Sequence, residues 1–188
     1  MYPFLRLAKE LHIHRKAPPL PLTGTHVSTH VCWPWDLDVW WELNNGRTLT
    51  LLDLGRIPLA RRVGLIDTLR RERWGLTMAG VSVRYRRRVR MFDRFEIHSR
   101  CVGWDDRFIY IEQGMWRRGD WANHALYRSA VTDENGIVAT DRVVRAMGVD
   151  PVSPPCPTGS PRGSGPRANA RGRRCKADPT APKRLRNP

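Results

Sequence analysis

Only one stretch of this sequence has the period of a long buried helix, and most of the chain beyond it reads as strands. From Asn45 onward, Leu49, Leu52, Ile57, Ala60 and Val63 recur at near-helical spacing. Asn44 and Asn45 precede them as good caps, so the pattern predicts a helix from about 46 to 63, with Gly55 and Pro58 as points of disturbance. A second short helical stretch over 64–73 ends before "WGLT". In "AGVSVRYRRRVRMF", Val81, Val83, Tyr85, Val89 and Met91 share one parity while Ser82, Arg84, Arg86, Arg88 and Arg90 share the other. Alternation of this kind predicts a strand with one buried and one cationic face. "RFEIHSRCVGW", "RFIYIEQGMWRR" and "ANHALYRSAVT" are further strands, the first two joined by the turn-prone "WDDR". "DENG" is a turn, and "ATDRVVRAMG" is a short helix with Thr140 as cap and Gly148 as stop.

Ahead of the central helix, "THVSTHVCW" places Val27, Val31 and Trp33 at alternate positions, a strand pattern preceded by the proline-punctuated connector "APPLPLTG". The order is therefore strand, long helix, then at least four antiparallel strands. Burying one helix against a curled antiparallel sheet is the simplest way to cover both apolar faces, an α+β class. The exposed edge of such a sheet favours pairing with another copy.

A chain of 188 residues suffices for one domain with a real core. The sequence divides into an N-terminal helix and linker (1–23), a domain (24–149) and a tail (150–188). The tail holds nine Arg or Lys against two Asp, about half of the +15 net charge. Poor in large apolar residues and rich in Pro, Gly and Arg, it is expected to be disordered. Cys32, Cys101, Cys156 and Cys175 form neither a CxxC pair nor a disulfide framework, which suits a reducing cytoplasm. No apolar run reaches the roughly 18 to 20 residues of a membrane span. "MYPFLRLAKELHIHRK" mixes Phe4, Leu5, Leu7, Leu11 and Ile13 with basic residues and lacks a small-residue cleavage site. It reads as a helix packed on its own domain, with weak association at a membrane surface as the alternative.

No G-x-S-x-G elbow, phosphate loop or dinucleotide fingerprint is present, and His26, His30, His98 and His124 have no partner at metal-ligand spacing. Neither a metal nor another cofactor is implied. What remains is "WDLDVWWELNN", residues 35–45, with carboxylates set among bulky aromatics just before the helix. Asp36 and Asp38 could cap turns, or one could act as a base beside an apolar pocket. Trp33, Trp35, Trp40 and Trp41 suit a core or a dimer interface.

"WDLDVWWELNNGRTLTLLDLGR" resembles the D-x-D-x-x-x-H-x-N-N segment and central helix of hotdog-fold thioesterases, among them the acyl-carrier-protein and hydroxybenzoyl-CoA types. "FEIHSRCVGWDDRFIYIEQ" resembles the matching strand pair, and the likeness covers about residues 25–148. It implies a hotdog fold, with a long central helix wrapped by a curled antiparallel sheet of about five strands. It also implies hydrolysis of an acyl thioester carried by coenzyme A or a carrier protein, and assembly as a homodimer or homotetramer. Asp38 falls where the family's catalytic carboxylate stands, and the backbone around Asn45 and Gly46 where the thioester carbonyl binds. An amide-rich helix start suits an oxygen gaining negative charge.

The sequence departs from the motif at Glu42, in place of His, and at Trp40, in place of the Asn of the carrier-protein enzymes. One carboxylate and an amide pocket survive, with Glu42 a candidate second carboxylate. Asp53 is a candidate because related branches place their carboxylate on this helix; pairing with Arg56 is the simpler reading. Trp40 and Trp41 are candidate acyl contacts, and Arg84, Arg86 and Arg88 candidate contacts for coenzyme A phosphates. The arginines could equally form a solvated face. Nucleic-acid binding is disfavoured because Tyr85 is the only aromatic inside the run, which leaves little for bases to stack on. A non-catalytic module that binds acyl thioesters or a protein remains the main alternative.

Overall fold

In the computed structural model, which describes residues 2–150, the chain runs α1 (Phe4–Ile13), β1 (His26–Val31), α2 (Asn45–Arg62), α3 (Leu65–Glu72), β2 (Gly75–Tyr85), β3 (Arg94–Trp104), β4 (Ile109–Arg117), β5 (Asp120–Asp133), β6 (Gly136–Ile137) and α4 (Thr140–Ala146). The tail reading falls outside the described residues from 151 onward. The sheet order is β1-β3-β4-β5-β2, with short β6 paired to β5, and every pairing is antiparallel.

The central helix starts where the asparagines predict. Asn44 is the N-cap, its side chain accepting from the Arg47 N–H at 3.0 Å. The helix runs unbroken through Gly55 and Pro58, so the expected disturbance does not occur. At Gly55 a Cβ would lie 2.6 Å from Ile97 Cγ2 and from Ser99 Oγ, and glycine is what lets α2 settle onto β3. Leu51, Leu52 and Leu54 are fully buried there with Phe95, Ile97 and Met115. Burial of this kind stabilises by about 1.5–3 kcal/mol per large side chain, enough to outweigh the backbone bond that Pro58 cannot donate.

Three local readings are corrected. The final helix is capped at Ala139, and Thr140 is its buried first residue. β2 begins earlier than predicted and ends at Tyr85, so Arg86, Arg88 and Arg90 lie beyond the strand. The chain leaves the sheet there because the Arg86 and Arg87 N–H groups both turn onto the Ala122 carbonyl, at 2.9 and 3.0 Å. Within β2 a bulge at Ala79 shifts the register between Met78 and Gly80. Met78 therefore pairs with Ser129 and Val81 with Tyr127, so Leu76, Met78, Val81, Val83 and Tyr85 share one face in spite of their mixed parity.

The third correction concerns β1, whose inward face is the polar one: His26, Ser28 and His30 are buried while Val27 is exposed. These groups largely satisfy one another and α1. Ser28 Oγ meets His30 Nε2 at 2.8 Å, Arg62 reaches His26 Nδ1 at 3.1 Å, and the buried Glu10 lies 3.9 Å from His30 and 3.5 Å from His14. Burial, reinforced for His26 by His14 and Arg62, pushes its pKa down to about 4. Burial, reinforced by Arg6 and Lys9, pushes that of His30 down to about 3. A histidine depressed on folding contributes stability that is complete above its unfolded value near 6.5 and is lost as pH falls toward the folded value. Glu10, raised by burial, works in the opposite sense. Urea unfolding is expected to show stability falling from pH 7 to pH 5, by at most about 1.4 kcal/mol per pH unit for each histidine. His30→Gln should flatten that slope, and an unchanged slope would refute the assignment.

Candidate active site

The segment joining β1 to α2 is a tied hairpin. Leu37 bridges Leu43, the Asp38 N–H donates to the Glu42 carbonyl at 2.8 Å, and the Trp41 N–H donates to the Asp38 carbonyl at 3.1 Å. Trp41 adopts φ +59° to close it, a left-handed conformation that costs a bulky residue about 1–2 kcal/mol. Strain of this kind persists only where the surroundings hold it, and here the Leu43 N–H is anchored on the Val89 carbonyl at 2.8 Å.

The two aspartates, equivalent in sequence, have different fates. Asp36 is wholly buried and takes four contacts from three directions: Arg6 at 2.7 Å, Arg47 at 2.7 Å, the Trp33 N–H at 3.1 Å, and through its carbonyl the Asn44 N–H at 3.0 Å. It is a tie joining α1, the hairpin and the first turn of α2. Asp38 is half-buried, and one of its oxygens accepts from the Trp40 N–H at 2.8 Å. No cation among the described residues pairs with it. Its carboxylate thus sits at the base of the hairpin in the turn-making geometry that composition alone allowed, with an oxygen left over.

At the start of α2, nothing among the described residues accepts from the Asn45 and Gly46 amides, and both residues are exposed. The Tyr85 hydroxyl donates to the Asn45 carbonyl at 3.1 Å, which fixes the end of β2 against the helix entrance. Tyr85 escaped the sequence reading as a site residue. Its place on the buried parity was visible, but its reach to the helix start was not.

The remaining candidates scatter. Trp40 and Trp41 project from the hairpin tip with Val39, largely exposed, instead of walling a tunnel within their own chain. Glu42 pairs with Arg88 at 2.9 Å, which gives both a structural partner. Arg84 lies in β2 and is exposed, while Arg86 lies beyond the strand, so the three arginines do not form one cationic strand face. Asp53 binds Arg56, as its simpler reading holds. Arg56 in turn reaches Gln113 Oε1 at 3.2 Å and lies over the Tyr127 ring at 4.1 Å. Burial, then the charge and hydrogen bond of Asp53, push the Tyr2 hydroxyl up to about 12. Among the described residues no cluster of His, Cys, Asp or Glu is placed to hold a metal ion.

Comparison with known proteins gives this arrangement its relatives. The frog Xenopus laevis protein THEM6 is 36% identical over 92 residues, covering 49% of this chain and 44% of its own length. This chain thus spans about half the length of the curated relatives it matches. Among solved structures, the probable thioesterase YbaW of Escherichia coli superposes with a TM-score of 0.60 at 17% identity, covering 65% of this chain and 98% of that one. A putative oleoyl thioesterase of Lactobacillus plantarum superposes with a TM-score of 0.61 at 13% identity, covering 68% and 52%. Likeness at such identities concerns the fold, which is the hotdog fold: a long helix wrapped by a curled antiparallel sheet. The profile of the Thioesterase-like superfamily matches residues 32–138, from the hairpin through β6 and so more than half of the chain, and to that superfamily the chain belongs.

Proposed function

We propose that residues 24–149 hydrolyse an acyl thioester, an acyl-CoA in the first instance, to a free carboxylic acid and a thiol. The observation that carries this reading is a carboxylate that no cation among the described residues pairs with, on a strained hairpin tied to a helix start whose first two amides have no acceptor among those residues. Asp38 would take a proton from water as the water oxygen attacks the thioester carbonyl carbon. The Asn45 and Gly46 N–H groups would receive the oxyanion. Collapse of the tetrahedral intermediate breaks the C–S bond, and the thiolate recovers the proton from Asp38. Direct attack by Asp38, giving an anhydride that water opens, uses the same groups. Trp40 and Trp41 would contact the acyl chain, and Arg84, Arg86 and Arg88 the phosphates of coenzyme A.

This reading needs a second copy, because Trp40 and Trp41 stand largely exposed at the hairpin tip among the described residues. β2 is one of the two edge strands, exposed along most of its length, and Leu76, Met78, Val81 and Tyr85 stand open on its helix-side face. A partner pairing there would cover an apolar stripe that nothing among the described residues covers. Val81→Lys is expected to convert a homodimer or higher oligomer to monomer in analytical ultracentrifugation. An unchanged sedimentation coefficient would place the interface elsewhere. A reducing, cytoplasmic setting suits Cys32 and Cys101, both free and buried, with burial raising their thiols to about 11.

The purified protein assayed on a panel of aliphatic and aromatic acyl-CoAs and acyl-carrier-protein thioesters is expected to release free thiol. Tight binding with no turnover would leave a non-catalytic acyl-thioester module in its place. Affinity for nucleic acid that falls steeply with salt, without any thioester binding, would point to the basic residues instead.

A further inference from the structure

The opposite edge of the sheet carries a second exposed apolar surface, and the thioester reading makes no use of it. α1 turns Leu7 and Glu10 inward, yet its outward face presents Phe4 at 70% exposure and Leu5 at 88%. The surface continues past the helix. Trp33 stacks on Trp35 with ring centres 5.4 Å apart and planes within 10°, and Phe92 meets Trp33 edge-on at 6.1 Å. Phe4, Leu5 and Trp35 border one shallow groove, and Leu5, Lys9, Trp33 and Arg94 border the next. Apolar groups from three separate segments thus form one patch, with Trp35 and Phe92 themselves mostly exposed.

Charge identifies the partner. The acidic groups nearest the patch are withdrawn: Glu10 and Asp36 are buried, and Asp93 is turned into ion pairs with Arg117 and Arg118. The exposed charges that border the two grooves are cationic, namely Lys9 and Arg94. Rings and aliphatic side chains that project a few ångströms, rimmed by Lys and Arg, match the boundary between anionic headgroups and acyl chains. The mount is also rigid, since Arg6 binds Asp36 at 2.7 Å and the Val31 carbonyl at 2.9 Å, which pins α1 to the base of the aromatic pair. Lying at the β1 edge, the patch stays open when β2 pairs with another copy.

We propose that the outward face of α1, together with Trp33, Trp35 and Phe92, seats this chain on the surface of an anionic membrane. The patch lies along the bilayer surface, and no helix among the described residues is long and apolar enough to span one. The full chain is mixed with vesicles of phosphatidylcholine alone, or with about one third phosphatidylserine, at about 0.15 M salt to screen distant charge. Co-sedimentation is expected with the anionic vesicles and not with the neutral ones. Brominated acyl chains are expected to quench part of the tryptophan emission. Phe4→Glu with Leu5→Glu should weaken co-sedimentation by about tenfold or more. Trp35→Ala, from a different segment, should weaken it and reduce the quenching. These side chains are exposed, so both variants should keep the thermal unfolding of the parent.

Anionic binding that survives both variants, or occurs without quenching, would overturn the proposal in favour of charge elsewhere in the chain. Absence of vesicle binding would overturn it outright. Loss of self-association in the Glu variants with vesicle affinity intact would make the patch a protein interface.

Discussion

Asp36→Ala is expected to lower the stability of the fold by about 3–5 kcal/mol, the range for removing one partner from a buried ionic cluster. The carboxylate is completely enclosed, with Arg6 on one oxygen together with the Trp33 N–H, and Arg47 on the other. Alanine would take the carboxylate partner from two guanidinium groups, each less than a fifth exposed, and from one backbone donor. It would also remove the hydrogen bonds by which one side chain joins α1, the hairpin and the first turn of α2. Urea unfolding monitored by tryptophan fluorescence measures the loss as a lower midpoint. Asp36→Asn, which can still accept from Trp33, should cost less. Stability within about 1 kcal/mol of the parent for the alanine variant would show that the cluster does not tie these elements together.

The contrast between Asp36 and Asp38 marks where the sequence stops being informative. Both lie in the same tryptophan-rich stretch, two residues apart, and nothing in spacing or composition separates core from rim. Burial is decided by Arg6, thirty positions upstream, and by Arg47 on the far side of the hairpin. The central helix was legible because its signals are local: a 3.6-residue apolar period and an asparagine cap. Its tolerance of Pro58 was not, since that depends on the apolar surface buried against β3.

Strand parity failed for related reasons. β1 buries His26, Ser28 and His30 because α1 and Arg62 supply polar partners that periodicity cannot see. In β2 the alternation continues through the arginine run while the pairing does not, and the bulge at Ala79 reverses the phase of Leu76 and Met78. Resemblance to a family drew attention to Asp38 and the Asn45–Gly46 entrance. The geometry adds a carboxylate oxygen without a partner among the described residues and the Tyr85 brace.

Asp38→Asn is expected to reduce kcat for the preferred thioester by about 10²-fold or more, the scale of a lost general base. Asparagine has nearly the shape of aspartate, and its side-chain oxygen can still accept from the Trp40 N–H, so the hairpin and its strained Trp41 should persist. What disappears is the negative charge and the capacity to take a proton. KM should therefore move little while kcat collapses, and thermal unfolding should match the parent. A change in KM alone would make the group a binding contact. Asp53→Asn is the informative partner because it removes the other candidate carboxylate, the one on α2. Asp53 is already engaged by Arg56, so that variant should lose stability through the Arg56–Gln113 contact and keep kcat within a few-fold of the parent. The reverse outcome, with Asp53→Asn inactive and Asp38→Asn within a few-fold of the parent, would move the chemistry onto the helix and leave Asp38 a residue that shapes a turn.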